Sequence, residues 1–468
     1  MDRTIKSISK EKFDALASYI RHPMAEVCFR ELEWYSDPQE ELLGVLTIDI
    51  QDNDYCYAIL GRDSLNKFRA IENECCSTRK VARKRLKKKL LKSINLSQKL
   101  FPQGDEKGKV LDLFTPIVPE QELNPYFKII KDSPAHKGAR KMMSEIVHHL
   151  KDIDGNFVKE FQTKGFDARI WELFLFAFLK EEKFLCERSY NAPDFLINKY
   201  GEEIAVEAVI VGQNNDSKPI ELETPDPFPR SSEEIKILLI DEVPIKFSST
   251  LTGKLNRKIP YWELPHVKGR PFILAFADFH EPRAMVWSYP AVAEYLYGIR
   301  QKAIKDKDGN FFFEPLKIEY HTKPNGSKIR SGFFNLENSE YVSAVLFSNT
   351  GTLSKFNRMG ILAGFGDSEI HVLRHGIRFD HEQNALVPLP FISEIAPDKV
   401  SETWGEGLSL FHNPNALRPI PTPQDLFPSI AHHRFIDNQI VSIIPDFFPY
   451  CSLTYNFIPK SKVKGFKA

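Results

Sequence analysis

The spacing of hydrophobic residues changes several times along this chain, and the changes predict a mixture of helices and strands. Phe13, Leu16 and Ile20 follow the three-to-four-residue spacing of a helix. The runs ELLGVLTIDI and DYCYAILG, separated by QDN, then predict a β-hairpin. Leucines recur every four residues within residues 79–92, which predicts an amphipathic helix.

The middle of the chain carries the strongest pattern. The segment RIWELFLFAFL is apolar on nearly every face and predicts a buried helix. Short runs near residues 184, 195 and 207 predict three strands, with Tyr200-Gly201 as the turn between the last two. A further helix is predicted from Phe247 to Pro260, and RPFILAFADF after it predicts a buried strand.

Two other stretches define the predicted domain organisation. Residues 213–245 are polar, acidic and rich in proline, which predicts an inserted surface loop. After residue 300 the chain is punctuated by Gly, Asn and Pro and rich in strand-like runs. We therefore predict a multidomain α+β protein with three parts: an N-terminal α+β domain (1–105), a central core with that insertion (125–300), and a C-terminal β-rich domain (301–468).

Composition and charge narrow the function classes. The 468 residues contain 63 Lys+Arg and 63 Asp+Glu, so a non-specific nucleic-acid coating protein, which is basic overall, is excluded. The zero net charge conceals a local excess of positive charge, since nine of the fourteen residues in 79–92 are basic. No apolar run approaches the roughly 20 residues of a membrane span, and the N-terminus is unlike a signal peptide. Six irregularly spaced cysteines predict reduced thiols in a cytoplasmic protein.

Three isolated carboxylates stand out in apolar surroundings. Glu172 lies within the predicted buried helix, Asp194 opens a predicted strand after Pro193, and Glu207 lies alone in IAVEAVIVG. Converging carboxylates repel one another and raise each other's pKa unless a divalent cation lies between them. Oxygen ligands with no His or Cys nearby suit Mg²⁺ or Mn²⁺. Isolated acids of this kind also occur as buried salt-bridge partners.

The order of helix Glu, strand, Pro-Asp and strand Glu resembles the PD-(D/E)xK superfamily of nucleases over roughly residues 140–285. The resemblance implies a restriction-endonuclease-like αβββαβ core with a mixed sheet. It implies that Asp194 and Glu207 hold the metal, that Glu172 supports them, and that the reaction is phosphodiester hydrolysis. DNA as substrate and a role in prokaryotic restriction or defence follow from the family's habits only.

One position departs from the family pattern. The family has Lys two residues after the second acid, and this chain has Val209 there. Lys254 and Lys258 lie four residues apart on the predicted helix beside the site, so either could supply the missing cation. Gln213 is a weaker substitute.

Basic residues in the N-terminal helix and beside the proposed site predict contacts to nucleic-acid phosphates. These are Arg83, Lys84, Lys87 and Lys88 in the basic helix and Arg257 beside the proposed site. A homodimer or a partner protein would be compatible with the flanking domains. The alternative function is a catalytically inactive nuclease-like module that binds nucleic acid or protein, which the missing lysine favours. No motif supports another hydrolase or a transferase.

Overall fold

The computed structural model of the chain describes residues 5–96, 100–213, 230–305, 307, 311–382 and 385–462. Helices and several separate sheets are mixed throughout these ranges, so the predicted α+β class is confirmed. No helix in the described ranges is long and apolar enough to cross a membrane.

The N-terminal part is an antiparallel sheet covered by the basic helix. Its elements in chain order are β1 (Lys6–Ile8), α1 (Lys10–Ala17), α2 (Pro23–Cys28), β2 (Phe29–Ser36), β3 (Leu42–Asp49), β4 (Tyr55–Arg62), β5 (Phe68–Cys76) and α3 (Arg79–Ile94). The five strands lie in chain order, each antiparallel to the next. Helix α3 buries Ala82, Leu86 and Leu90 in a core shared with this sheet. The predicted hairpin and amphipathic helix are both present.

The cysteines of this sheet correct one prediction. Cys56 on β4 is directly opposite Cys75 on β5, and the two form a disulfide. The expectation that all six cysteines are reduced is therefore wrong for this pair. Irregular sequence spacing concealed it, because the partners are brought together by strand register and not by a local motif.

The central part contains a helix–three strands–helix–strand sequence. Its elements are α4 (Pro125–Asp132), α5 (Lys137–Val147), α6 (Phe157–Gln162), α7 (Phe166–Glu181), β6 (Leu185–Glu187), β7 (Phe195–Lys199), β8 (Glu202–Val211), α8 (Ser232–Ile240), α9 (Glu242–Leu255) and β9 (Phe272–Asp278). Strands β6, β7 and β8 are antiparallel neighbours, and β9 is parallel to β8, so the sheet is mixed.

Two helices cover opposite faces of this mixed sheet. Helix α7 lies on one face, where Trp171 Nε1 donates a hydrogen bond of 2.9 Å to the Ala275 carbonyl of β9. Helix α9 packs on the other face, with the ring of Phe247 5.2 Å from that of Phe276. Alternation along β8 therefore directs Ala205, Val209 and their same-face neighbours towards α9.

The predicted loop over 213–245 requires correction. Residues 214–229 lie outside the described part of the chain, but α8 and the start of α9 fall within the rest of the interval. Ser231 and Glu234 form a capping box that begins α8, in which each side chain bonds the other's backbone N–H. The acidic residues that suggested a loop are, in this place, the first turn of a helix.

The C-terminal part extends the central sheet. Its elements are α10 (Pro290–Tyr297), β10 (Ile299–Lys305), β11 (Phe311–Lys317), β12 (Tyr320–Thr322), β13 (Lys328–Arg330), β14 (Ala344–Ser348), α11 (Leu353–Leu362), β15 (His371–Arg378), β16 (Leu389–Glu394), β17 (Leu408–His412), α12 (Pro423–Leu426), β18 (Ala431–Ile436), β19 (Gln439–Ile443) and β20 (Pro449–Phe457). The region is rich in strands, as predicted. The eight-stranded central sheet has the order β19-β18-β17-β14-β9-β8-β7-β6, so it runs across the domain boundary predicted at residue 300.

A second, smaller sheet and a close helix contact complete this region. Strands β16, β15 and β20 form a three-stranded antiparallel sheet. Helix α11 packs against α5, where a Cβ added at Gly360 would lie only 2.2 Å from the Gly138 carbonyl oxygen. Glycine at this crossing lets the two helix backbones touch, and this contact joins α11 to the central part.

Candidate active site

Two of the predicted acids lie side by side, Asp194 directly before β7 and Glu207 within the neighbouring strand β8. The antiparallel register places Phe195 opposite Val206, so Asp194, the residue before β7, is adjacent to Glu207. Asp194 Oδ2 accepts a hydrogen bond of 2.8 Å from the Ala208 backbone N–H of β8. Strand β8, which carries Glu207, therefore also fixes the side chain of Asp194.

The pair lies in a mostly apolar environment, and this shapes its electrostatics. Glu207 is 7 % exposed. Burial, and after it the negative charge of Glu207, raises the pKa of Asp194 to about 6, while Arg188 and Lys254 act to lower it. Two buried carboxylates held this close favour binding of a positive charge between or beside them.

Lys254 supplies a cation directly to the second acid. From helix α9 its Nζ donates to Glu207 Oε1 at 2.8 Å. Tyr261, in the short turn Tyr261–Glu263 after the helix, donates its hydroxyl hydrogen to the same oxygen at 2.6 Å, and Lys254 Nζ lies 3.5 Å from that hydroxyl. Val209, in the family's lysine position, packs in the core beneath α9. The cation thus approaches from the helix instead of from the strand.

Lys258 and Arg257 do not share the position of Lys254. The predicted helix continued to Pro260, but α9 ends at Leu255, so both residues lie beyond it and are exposed. The prediction that Lys254 and Lys258 lie on one helix beside the site is therefore wrong for Lys258. Arg257 instead places its guanidinium 4.6 Å from the centre of the Tyr261 ring.

Glu172, the third predicted acid, forms ion pairs with two arginines. Its Oε1 accepts from Arg169 at 2.5 Å and its Oε2 from Arg188 at 2.6 Å. Burial raises the pKa of Glu172, Arg188 lowers it, and the charge of Asp194 raises it. The expected convergence of three carboxylates is therefore not observed, because guanidinium groups compensate Glu172 separately. Over the residues that the structure describes, no three His, Cys, Asp or Glu side chains are grouped to hold a metal.

Arg188 connects Glu172 to the acid pair and was missed from the sequence. Its side chain is 8 % exposed, and its guanidinium lies 4.8 Å from the centre of the Phe195 ring. Nε and Nη1 are buried and have no hydrogen-bond partner among the described residues. The sequence does contain a hint of such a residue, because the buried charge of Glu172 requires a cationic partner.

Sequence and structure comparisons add no relative. No protein-family model matches the chain, and no curated protein or solved structure matches it at a significant level. The arrangement of Asp194, Glu207 and Lys254 is therefore the evidence from which function has to be inferred.

The basic helix α3 is partly neutralised by the sheet it covers. Arg79 and Arg83 both form ion pairs with Glu33 of β2, and the hydrogen bond from Arg83 lowers the pKa of Glu33 to about 2. Two further ion pairs join α3 to β5, Arg85 to Glu74 and Lys89 to Glu72. Arg83, predicted to contact nucleic acid, is thus engaged within the protein.

The other predicted cations of α3 remain on its outer face. Lys84, Lys87 and Lys88 are exposed, and Lys87 lies over the Tyr35 ring at 4.8 Å. These three lysines form the outer lysine face of α3, which is available to an anionic partner.

Replacing Glu172 tests whether its two ion pairs stabilise the fold. Glu172→Gln leaves Arg169 and Arg188 without their shared carboxylate, and we expect unfolding to become easier by about 3 kcal/mol. Glu160→Gln is the matched control, because Glu160 also pairs with Arg169 but is 42 % exposed; its cost should stay below about 1 kcal/mol. Chemical denaturation measures both, and equal costs would show that Glu172 is not a buried structural partner.

Proposed function

We propose that this chain is a metal-dependent nuclease that hydrolyses phosphodiester bonds, with DNA as the favoured substrate. The observation that carries the proposal is the contact of Lys254 with Glu207 beside Asp194. An acid pair with an adjacent lysine is the set of groups that the PD-(D/E)xK resemblance implies, and here α9 contributes the lysine that the family's strand position lacks.

The order and direction of the surrounding elements support the proposal. Helix α7, strands β6 to β8, helix α9 and strand β9 follow one another in the αβββαβ order, with β9 parallel to β8. This order places the acid pair beside α9 on one face of a mixed sheet. It agrees with the core that the resemblance implies.

The donor atoms suit Mg²⁺ or Mn²⁺. Asp194 Oδ1 and Glu207 Oε2 have no hydrogen-bond partner among the described residues, while the other oxygen of each carboxylate is fixed by the protein. Both donors are carboxylate oxygens, which these hard cations prefer. Asp194 and Glu207 would hold the ion, which supplies Lewis acidity for activating water and neutralising charge at phosphorus.

The protein's own groups have separate tasks in this proposal. Lys254 is held by Glu207 and Tyr261, so its ammonium group is positioned to donate a hydrogen bond where negative charge develops on the phosphoryl oxygens. Tyr261 acts through Lys254 and Glu207 and is a positioning residue. Arg188 adds positive charge beside Asp194 and ties the site to Glu172. The outer lysine face of α3 would attract the nucleic-acid backbone.

A cleavage assay tests the proposal. Purified protein is incubated with plasmid DNA or RNA in Mg²⁺ or Mn²⁺, beside an Asp194→Ala/Glu207→Ala double variant that matches it in thermal unfolding. We expect cleavage by the wild type alone, and its loss when EDTA removes the metal. Equal cleavage by both proteins would overturn the assignment of these acids.

A binding module without catalysis is the second candidate function, and Val209 in the family's lysine position favours it. Under that alternative the wild type binds nucleic acid but leaves it intact in every metal tested. The same assay therefore separates the two candidates.

The two lysines near α9 form a matched pair of variants. Lys254→Ala removes the cation that contacts Glu207, and we expect cleavage to fall about 100-fold, as when one transition-state donor is lost. Lys258→Ala changes an exposed residue beyond the helix and should leave the rate within about twofold of wild type. Single-turnover cleavage at saturating DNA measures both rates. A larger loss for Lys258→Ala would move the catalytic cation to that residue.

A further inference from the structure

A second group of buried charges lies far along the chain from the proposed active site, between the central part and the three-stranded sheet. Lys355 and Arg358 come from α11, Arg374 from β15, and Glu402 and Glu406 from the segment before β17. Each is at most 9 % exposed. Burying charged side chains is costly unless they are paired, so their pairing shows what the group is suited to do.

Glu402 accepts hydrogen bonds from two of the cations and also lies 3.5 Å from Arg374 Nη1. Lys355 Nζ donates to it at 2.7 Å, and Arg358 donates through Nε and Nη2 at 2.8 Å each. Glu406 contacts only Arg374, through Nη1. The described cluster therefore contains three cations and two carboxylates.

A further acid, Glu181, lies beside the segment that carries Glu402 and Glu406, since its Oε2 accepts a hydrogen bond of 3.1 Å from the Gly405 backbone N–H. Burial raises the pKa of Glu181 to about 8, which favours its neutral form. Burial and the charge of Glu402 also raise the pKa of Glu406. Burial also lowers the pKa of Lys355. Counted by side chains, the cluster has three basic groups and two carboxylates, whereas a purely structural ion-pair network would be expected to be balanced.

Arg374 carries the unsatisfied part of this charge. Its Nε donates to Ser452 Oγ at 2.9 Å, and the Phe391 ring lies 5.3 Å from the guanidinium carbon. Its Nη2 is buried and has no hydrogen-bond partner among the described residues. An arginine held on three sides, with one N–H edge unused, is arranged to bind an oxyanion.

A cavity of about 610 Å³ lies beside Arg374. Its polar lining includes Ser393, Ser401 and Lys399 together with the ion-paired carboxylates Glu402 and Glu406, and its apolar lining includes Ile395, Val400 and Phe447. This volume falls within the range of small-molecule sites, roughly 300–1,000 Å³, which combine an apolar wall with a few polar anchors.

We propose that this cavity binds a small organic anion whose phosphate or carboxylate group accepts hydrogen bonds from Arg374 Nη2, while its apolar part lies against Ile395, Val400 and Phe447. Such a ligand would supply the missing negative charge of the cluster. The site is separate from Asp194 and Glu207 and does not depend on nuclease activity.

Calorimetric titration of the full chain with inorganic phosphate, AMP and citrate tests this site. We expect saturable binding of at least one probe. Phosphate and AMP without citrate would identify a phosphate ligand, citrate alone would identify a carboxylate, and AMP tighter than phosphate would show that the apolar wall contributes. No saturable binding of any probe up to about 10 mM, which corresponds to less than roughly 3 kcal/mol, would overturn the proposal.

Three variants make the result specific. Arg374→Lys keeps the charge but removes the guanidinium edge, and Ser393→Phe fills the cavity without changing the charged cluster. Both should weaken the bound probe at least about tenfold. Arg330→Lys, at an exposed position on β13, should bind like the wild type. If Arg374→Lys is poorly folded by thermal unfolding, Ser393→Phe decides alone; unchanged binding in a folded cavity variant would overturn the proposal.

Discussion

The pairing of β7 with β8 forces two carboxylates together, and the candidate site depends on that constraint. Antiparallel register leaves Asp194 no position except beside Glu207, and the Ala208 N–H fixes it there. Like charges in an apolar sheet are unfavourable unless something positive is near them. Helix α9 meets this requirement by packing Phe247 into the core and directing Lys254 at Glu207.

Charge compensation takes a different form at three groups of buried charges in this protein. Glu172 is enclosed by two guanidinium groups and has both oxygens occupied, which suits a structural role. Lys254 pairs with Glu207, and Asp194 and Glu207 each keep one oxygen for another ligand, which suits chemistry. The cluster around Arg374 has more basic groups than carboxylates, which suits binding of an anion. A buried charge whose polar atoms are all paired is therefore assigned a stabilising role, and one with an unpaired polar atom marks a candidate site.

Local patterns predicted the elements that matter most, and tertiary contacts explain the rest. The apolar run around Trp171, the turn at Tyr200-Gly201 and the lone acid Glu207 are local signals, and the helix and strands follow them. The choice between Lys254 and Lys258 depended on where α9 ends, and helix ends are poorly marked in sequence. The roles of Tyr261 and Arg188 arise only when distant segments pack, so no spacing could have shown them.

Longer-range features were also beyond the sequence pattern. The boundary predicted at residue 300 separates strands that share one sheet, because strand order is decided by packing between segments far apart in the chain. The disulfide between Cys56 and Cys75 likewise follows from register. Acidic composition suggested a loop before α9, where a capping box begins a helix instead.

The central claim is that the acid pair needs a nearby cation, whichever helix or strand carries it. Moving the lysine from α9 to β8 tests this claim most directly. Val209 lies two residues from Glu207 on the same face of β8, so a lysine placed there would project towards the same site. The measurement is the cleavage rate of Lys254→Ala/Val209→Lys divided by that of Lys254→Ala, in Mg²⁺, with both proteins folded and DNA bound. The account predicts a ratio of about ten or more, as a transition-state donor is restored. A ratio of one would contradict it.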